Sequence, residues 1–304
     1  MEGGGSPQAA LVTGGRGFLG RHVVAALRQA GYSTVTIGPA RPGDTGRHFP
    51  FEPLDDVRAL AEIVKKLKPS LVVHLAAAPP TACPETHRYV TVAGTQTLIA
   101  ALADAPDAQL LSVGSAAEFG IGLPETGLLA DDYPCQPVSH YGHAKYSATQ
   151  EVLRHRARGG QASVLRLFTA CGPCPPPHSL LGRLLRELRA LAKDGGVMRV
   201  AGFDRVRDYL PAADVAAMIV QLARRGSALP PVMNLCSGIA TSVQQWVEAM
   251  VEASGLGVQV EPALMLDRLD DPPRVVGDPT TLIRFGIKPQ PLVLSEMAAE
   301  ILGW

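Results

Sequence analysis

Apolar residues along this chain fall into short continuous runs separated by stretches with helical spacing. Six runs, near residues 8–13, 33–37, 70–75, 108–113, 162–168 and 231–235, read as strands. The stretches between them read as helices; Leu19, Val23, Leu27 and Ala30, for example, recur on one helical face. Strands alternating with helices predict an α/β fold with a doubly wound parallel sheet. The run Leu71 to Ala78 is apolar almost throughout, as burial on both faces requires, and its His74 is expected to be structural. Residues 169–200 and 255–304 are richer in proline and less regular, which predicts a smaller C-terminal lobe. The expected division is 1–168 for the sheet domain and 169–304 mainly for the lobe, with segments near 204–250 returning to the sheet core.

The first strand runs into Thr13-Gly14-Gly15-Arg16-Gly17-Phe18-Leu19-Gly20, and a helix follows. A glycine-rich turn is common by itself, but between strand and helix it has a specific use. Glycines remove the Cβ atoms that would hold a pyrophosphate off the backbone, and the helix start offers free N–H groups and partial positive charge. Gly14, Arg16, Gly17, Phe18, Leu19 and Gly20 are therefore expected to bind a dinucleotide, and the first domain to be of the Rossmann type. Leu75, Ala76 and Ala77 end the third strand with side chains small enough for the cofactor to approach. An NAD site usually carries an acid at the end of the second strand, but here Ile37 leads into Gly38-Pro39-Ala40-Arg41. With no carboxylate there, and with Arg16 and Arg41 suited to a dianionic 2′-phosphate, NADP(H) is expected over NAD(H).

Tyr141-Gly142-His143-Ala144-Lys145 places a phenol and an ammonium four residues apart, on one face of the helix expected from Ser139 to Arg158. A free tyrosine, with a pKa of about 10, exchanges protons poorly at neutral pH, and a neighbouring ammonium is expected to lower that value. The glycine turn, Ser115 and the Tyr-x-x-x-Lys element resemble, in order and spacing, the extended branch of the short-chain dehydrogenase/reductase superfamily (the NAD-dependent epimerase/dehydratase family). The resemblance runs from about residue 8 to the C-terminus. It implies that Tyr141 is the proton donor or acceptor, that Ser115 holds the substrate oxygen, and that Lys145 also grips the nicotinamide ribose. It also implies a nucleotide-linked sugar as substrate.

Departures from the family pattern narrow the reaction. Sugar 4,6-dehydratases carry an Asp-Glu pair directly after the catalytic hydroxyl, where this chain has Ala116-Ala117, so elimination of water lacks its acid and base. Thr91 stands where relatives usually carry an asparagine. Thr169, Arg207 in Arg207-Asp208-Tyr209, and Arg268 in Arg268-Leu269-Asp270-Asp271 match substrate-side positions, and the resemblance assigns both arginines to a diphosphate. Salt bridges from these arginines to Asp208 or Asp271 are the structural alternative. With Asn234 to Gly238, these elements come closest to GDP-4-keto-6-deoxymannose reductases. The expected activity is NADP(H)-dependent reduction of a nucleotide-linked keto-sugar of the 4-keto-6-deoxyhexose type. The alternatives are an NAD-dependent nucleotide-sugar 4-epimerase, using the same three residues, and a non-catalytic dinucleotide-binding protein.

Cys171-Gly172-Pro173-Cys174 spells a thiol-redox string, but Pro175-Pro176-Pro177 denies it the helix that lowers a thiol pKa. The five cysteines are otherwise scattered and no His/Cys cluster has metal-ligand spacing, so reduced thiols and no metal site are expected. Of the 304 residues 46% are hydrophobic and 18% charged, enough apolar content for a sizeable core. Basic and acidic residues balance at 28 each, which gives no pull toward nucleic acid or an anionic membrane. Residues 1–7 lack the basic start and apolar core of a signal peptide. A cytoplasmic homodimer is expected.

Overall fold

The computed structural model describes residues 8–39, 48–50, 57–120, 126–192, 195–263 and 271–303. Seven parallel strands form the central sheet, in the spatial order Val232–Leu235, Ala162–Leu167, Gln109–Ser115, Leu71–His74, Ala9–Thr13, Ser33–Gly38 and His48–Pro50. The six expected strands are all present. The seventh, His48–Pro50, pairs with Thr36–Gly38 at the sheet edge. It is three residues long, ends in proline and lies outside any apolar run, so it carries no periodic signal.

Alternation along the strands separates two layers of core. Ala10, Val12, Leu71, Val73, Leu111 and Leu165 face Val23 and Leu27 of the helix Phe18–Gln29 and Val215, Ile219 and Leu222 of the helix Ala212–Ala223. Leu11, Val72, Leu110 and Val164 point the other way, against Leu60, Val64, Leu98 and Val152. Helices thus cover both faces, which is why the strands read as near-continuous apolar runs. Strand order reverses between Ala9–Thr13 and Leu71–His74, and in such sheets the crevice beyond the strand ends at that point is where a ligand can enter.

The second lobe has its own core. Leu181, Leu184 and Leu188 of the helix Leu180–Leu191 pack with Trp246, Val247 and Met250 of the helix Val243–Ser254 and with Ile301 and Leu302 near the C-terminus. Tyr209 meets the buried Trp246 edge-on, ring centroids 5.2 Å apart. Of the 204–250 stretch, Ala212–Ala223 and Val232–Leu235 lie in the sheet domain, whereas Val243–Ser254 lies in the lobe. Trp246, the bulkiest residue of that last helix, is buried among lobe side chains.

Candidate active site

The glycine turn opens onto the crevice. Gly14 has φ +69°, and a Cβ there would lie 2.9 Å from the backbone nitrogen of Ala76, so the turn and the end of the neighbouring strand meet only because this position is glycine. A Cβ on Gly20 would lie 2.2 Å from the Gly14 carbonyl oxygen. Gly17 caps the helix Phe18–Gln29 without a side-chain hydrogen bond, leaving the first-turn N–H groups free of a side-chain cap. Gly14, Gly17, Phe18, Leu19, Gly20, Leu75 and Ala77 line one wall of a cavity of about 200 Å³, and Ser115, Tyr141 and Lys145 line another. This bare backbone cradle fits a dinucleotide pyrophosphate. Arg16 donates to the Pro39 carbonyl at 3.3 Å, at the end of the second strand. Arg41 lies outside the described residues.

His74 holds the crevice wall. Thr95 donates its hydroxyl proton to the Thr91 carbonyl (2.6 Å), so its oxygen accepts from His74 Nε2 (2.9 Å). The other ring nitrogen then accepts from Thr13 (2.6 Å), whose oxygen also receives the N–H groups of Leu75 and Ala76 at 3.2 Å. A second proton on the ring would face the Thr13 oxygen, which already accepts two N–H groups, and burial, with Lys145 adding repulsion, brings the His74 pKa down to about 3. The hydroxyl of Thr91 accepts from the Ala78 N–H at 3.0 Å and so fixes the same loop. Thr91 belongs to the π-helical turn His87–Ala93, whose buried His87 ring packs 5.9 Å from the Tyr141 ring.

Ser115 ends its strand and begins a turn, accepting the Ala117 N–H at 3.2 Å. Tyr141 and Lys145 lie on the helix His140–Ala157, capped by the Ser139 hydroxyl on the Gly142 N–H. The Ser115 and Tyr141 hydroxyls are hydrogen-bonded. The expectation that Lys145 lowers the tyrosine pKa needs correction for the chain by itself. The Lys145 ammonium donates to the Val113 carbonyl, and burial raises the Tyr141 pKa while the Ser115 bond opposes it. Burial also lowers the Lys145 pKa. The phenol is thus held protonated and pointed at Ser115, a state suited to giving a proton.

Glu118 was not anticipated as part of the site. Its carboxylate is fully buried; one oxygen accepts the Ser115 N–H (2.8 Å), and the other accepts from the Thr149 hydroxyl (3.0 Å) and Arg166 Nε (3.4 Å). Arg166 also donates to the Asp131 carbonyl and lies 4.6 Å over the Phe119 ring. The Ser115-x-x-Glu118 spacing of a capping box was the one sequence signal available.

Adjoining the glycine-turn cavity at Ser115, a second cavity of about 210 Å³ is lined by Ser115, Ala116, Ala117, Thr169, Arg207 and Asp271. Beyond it, a cavity of about 490 Å³ in the lobe again reaches Arg207 and Asp271, together with Arg183, Arg199, Arg205 and Glu187. Arg207 pairs with Asp271 and donates to the Val206 carbonyl at 2.8 Å. Asp208 makes no such pair: it is buried and accepts the N–H groups of Ser237, Gly238 and Gly277 and the Ser237 hydroxyl. Arg268 lies outside the described residues. The Cys171 thiol is buried in a strand residue with its pKa pushed up to about 12, the reverse of an activated thiol. Among the described residues no group of His, Cys, Asp or Glu is placed to hold a metal ion, and no helix is long and apolar enough to cross a membrane.

The model of the NAD dependent epimerase/dehydratase family matches residues 10–236. The chain belongs to this family. It is 28% identical over 277 residues to a GDP-6-deoxy-D-talose 4-dehydrogenase of Aggregatibacter actinomycetemcomitans, covering 90% of this chain and 89% of that protein. It is 30% identical over 264 residues to a dTDP-6-deoxy-L-talose 4-dehydrogenase (NAD(P)(+)) of Kitasatospora kifunensis, covering 84% and 82%. Among solved structures, MoeE5 in complex with UDP-glucuronic acid and NAD superposes with a TM-score of 0.81 at 29% identity, covering 97% of this chain and 98% of that one. An epimerase/dehydratase-family enzyme takes a nicotinamide dinucleotide, and the glycine cradle is where this chain fits it.

Proposed function

We propose that this enzyme reduces the keto group of a nucleotide-linked 4-keto-6-deoxyhexose, with NADP(H) as the preferred cofactor. The observation that carries the reading is the row of three cavities. The glycine cavity and the middle cavity share Ser115, and the middle and lobe cavities share Arg207 and Asp271. Such a row suits a ligand of three parts: a reacting sugar beside Ser115 and Tyr141, an anionic link at Arg207, and a nucleoside in the basic lobe cavity. The two 6-deoxytalose 4-dehydrogenases among the relatives act at the same type of carbon.

Bound in the glycine cradle, the dinucleotide supplies the hydride. The chain's own residues do the rest. Ser115 holds the carbonyl oxygen, and Tyr141, kept protonated by burial, gives that oxygen its proton as negative charge develops. Lys145, one helical turn away, lines the same cavity, where it is suited to hold the nicotinamide ribose. Ala116 and Ala117 supply no carboxylate for elimination. Arg16 beside Pro39, and the absence of an acid from Gly38 to Arg41, support the 2′-phosphate preference.

The test is NADPH oxidation with GDP- and dTDP-linked 4-keto-6-deoxyhexoses, alongside mass analysis of the purified protein. Turnover with free exchange of cofactor is the expected result. A cofactor that stays bound through purification, with interconversion of 4-epimers and no net oxidation, identifies an epimerase instead. No turnover of any nucleotide sugar defeats both.

A further inference from the structure

We propose that Glu118 is a positioning residue that locks Ser115 to the helix bearing Tyr141 and Lys145, its charge paired with Arg166 of the neighbouring strand. The inference rests on the catalytic reading above. Three elements converge on this one carboxylate: the end of the strand Gln109–Ser115 through the Ser115 N–H, the helix His140–Ala157 through Thr149, and the strand Ala162–Leu167 through Arg166. Thr149 is one turn beyond Lys145 on the same helix face. The carboxylate therefore ties the residue that holds the substrate oxygen to the helix that supplies the proton.

A carboxylate removed wholly from water is costly, and here the buried Arg166 guanidinium and the Ser115 and Thr149 donors together compensate it. Its charge also acts on the site. Glu118 pushes the pKa of Tyr141 and of Lys145 upward, favouring the phenol over the phenolate and the ammonium over the amine. The other groups around the pair are the Ser115 hydroxyl from the strand, His87 on the π-helical turn, His74 facing Lys145, and His140 on the same helix. Among the causes that shift Tyr141 itself, Glu118 is the one charged group. Arg166 faces Glu118 from the opposite strand, with Cys135 beside it.

The test compares Glu118→Gln, which keeps size and removes charge, with Thr149→Val, which keeps charge and removes the tether. Tyr141 is titrated by ultraviolet difference spectroscopy against Tyr141→Phe, a measurement that needs no substrate and is decided even if nucleotide-sugar turnover fails. Glu118→Gln is expected to shift the Tyr141 titration downward, and to lower kcat roughly tenfold or more with little change in KM. Thr149→Val is expected to lower kcat several-fold, about the effect of a small misplacement, with the Tyr141 pKa unmoved. If Glu118→Gln does not fold because Arg166 is left unpaired, Glu118→Gln with Arg166→Met removes both charges and carries the same expectations. A folded variant lacking the carboxylate whose Tyr141 pKa and kcat match wild type overturns the proposal. A Thr149→Val enzyme with wild-type kcat overturns the tether.

Discussion

Arg207 and Asp271 are paired where the middle cavity meets the lobe cavity, so the cation proposed to meet a substrate diphosphate already holds a carboxylate. An anionic ligand entering there must outcompete Asp271, which a dianionic diphosphate with several acceptor oxygens can do. Replacing Arg207 by Ala should weaken binding of GDP or dTDP by roughly 10- to 150-fold, the value of one charge-assisted contact. Calorimetric titration of both nucleotides, with NADP⁺ as a control that should not change, checks this. Arg268→Ala should behave alike if it meets the same diphosphate.

Tyr141→Phe removes one hydroxyl and leaves the ring packed beside His87. Turnover should fall by at least about a hundredfold, the usual value of a positioned acid. Cofactor affinity should persist within a few-fold. Single-turnover NADPH oxidation and equilibrium cofactor binding measure the two separately, and near-normal turnover in this variant removes Tyr141 from the chemistry.

The proposed NADP(H) preference rests on Arg16, whose guanidinium reaches the Pro39 carbonyl, and on Arg41. Wild type should show the higher kcat/KM with NADPH than with NADH. Arg16→Ala and Arg41→Ala should each narrow the difference, chiefly through KM. Preference for NADH, unchanged in both variants, would remove the 2′-phosphate argument.

His74 makes the stability of the chain depend on pH. Its folded pKa of about 3 lies below its ordinary 6.5, so on acidification the unfolded chain takes up the proton first. Its contribution is fully present above pH 6.5 and is lost as the pH falls toward 3. Urea unfolding across that window should therefore show a midpoint falling with pH, and His74→Gln should flatten that slope.

Six of the seven strands of the sheet were legible because burial on both faces writes itself as an apolar run, and Tyr141 and Lys145 because their helix brings residues four apart together. Glu118 was hidden for the opposite reason. Thr149 and Arg166 lie 31 and 48 residues further along the chain, and a single glutamate in Ala-Ala-Glu-Phe-Gly looks like a surface residue until the strand Ala162–Leu167 is set beside it. The state of Lys145 was misjudged because spacing shows that it shares a face with Tyr141 but cannot show that the Val113 carbonyl competes for its ammonium. Thr91 looked like a lost asparagine, yet its hydroxyl is employed on the Ala78 N–H.

The strand Val232–Leu235 lies outside Ala162–Leu167, and everything from Thr169 to Pro211 is made between them. As the chain emerges during synthesis, the backbone edge of Ala162–Leu167 stays open until some seventy residues later its partner arrives, an interval in which an uncovered strand can pair with a strand of another molecule. The second lobe is therefore no detachable appendage. A cut after residue 168 would leave a sheet with a raw border and would remove the helix Ala212–Ala223 that roofs the cofactor-side helix Phe18–Gln29.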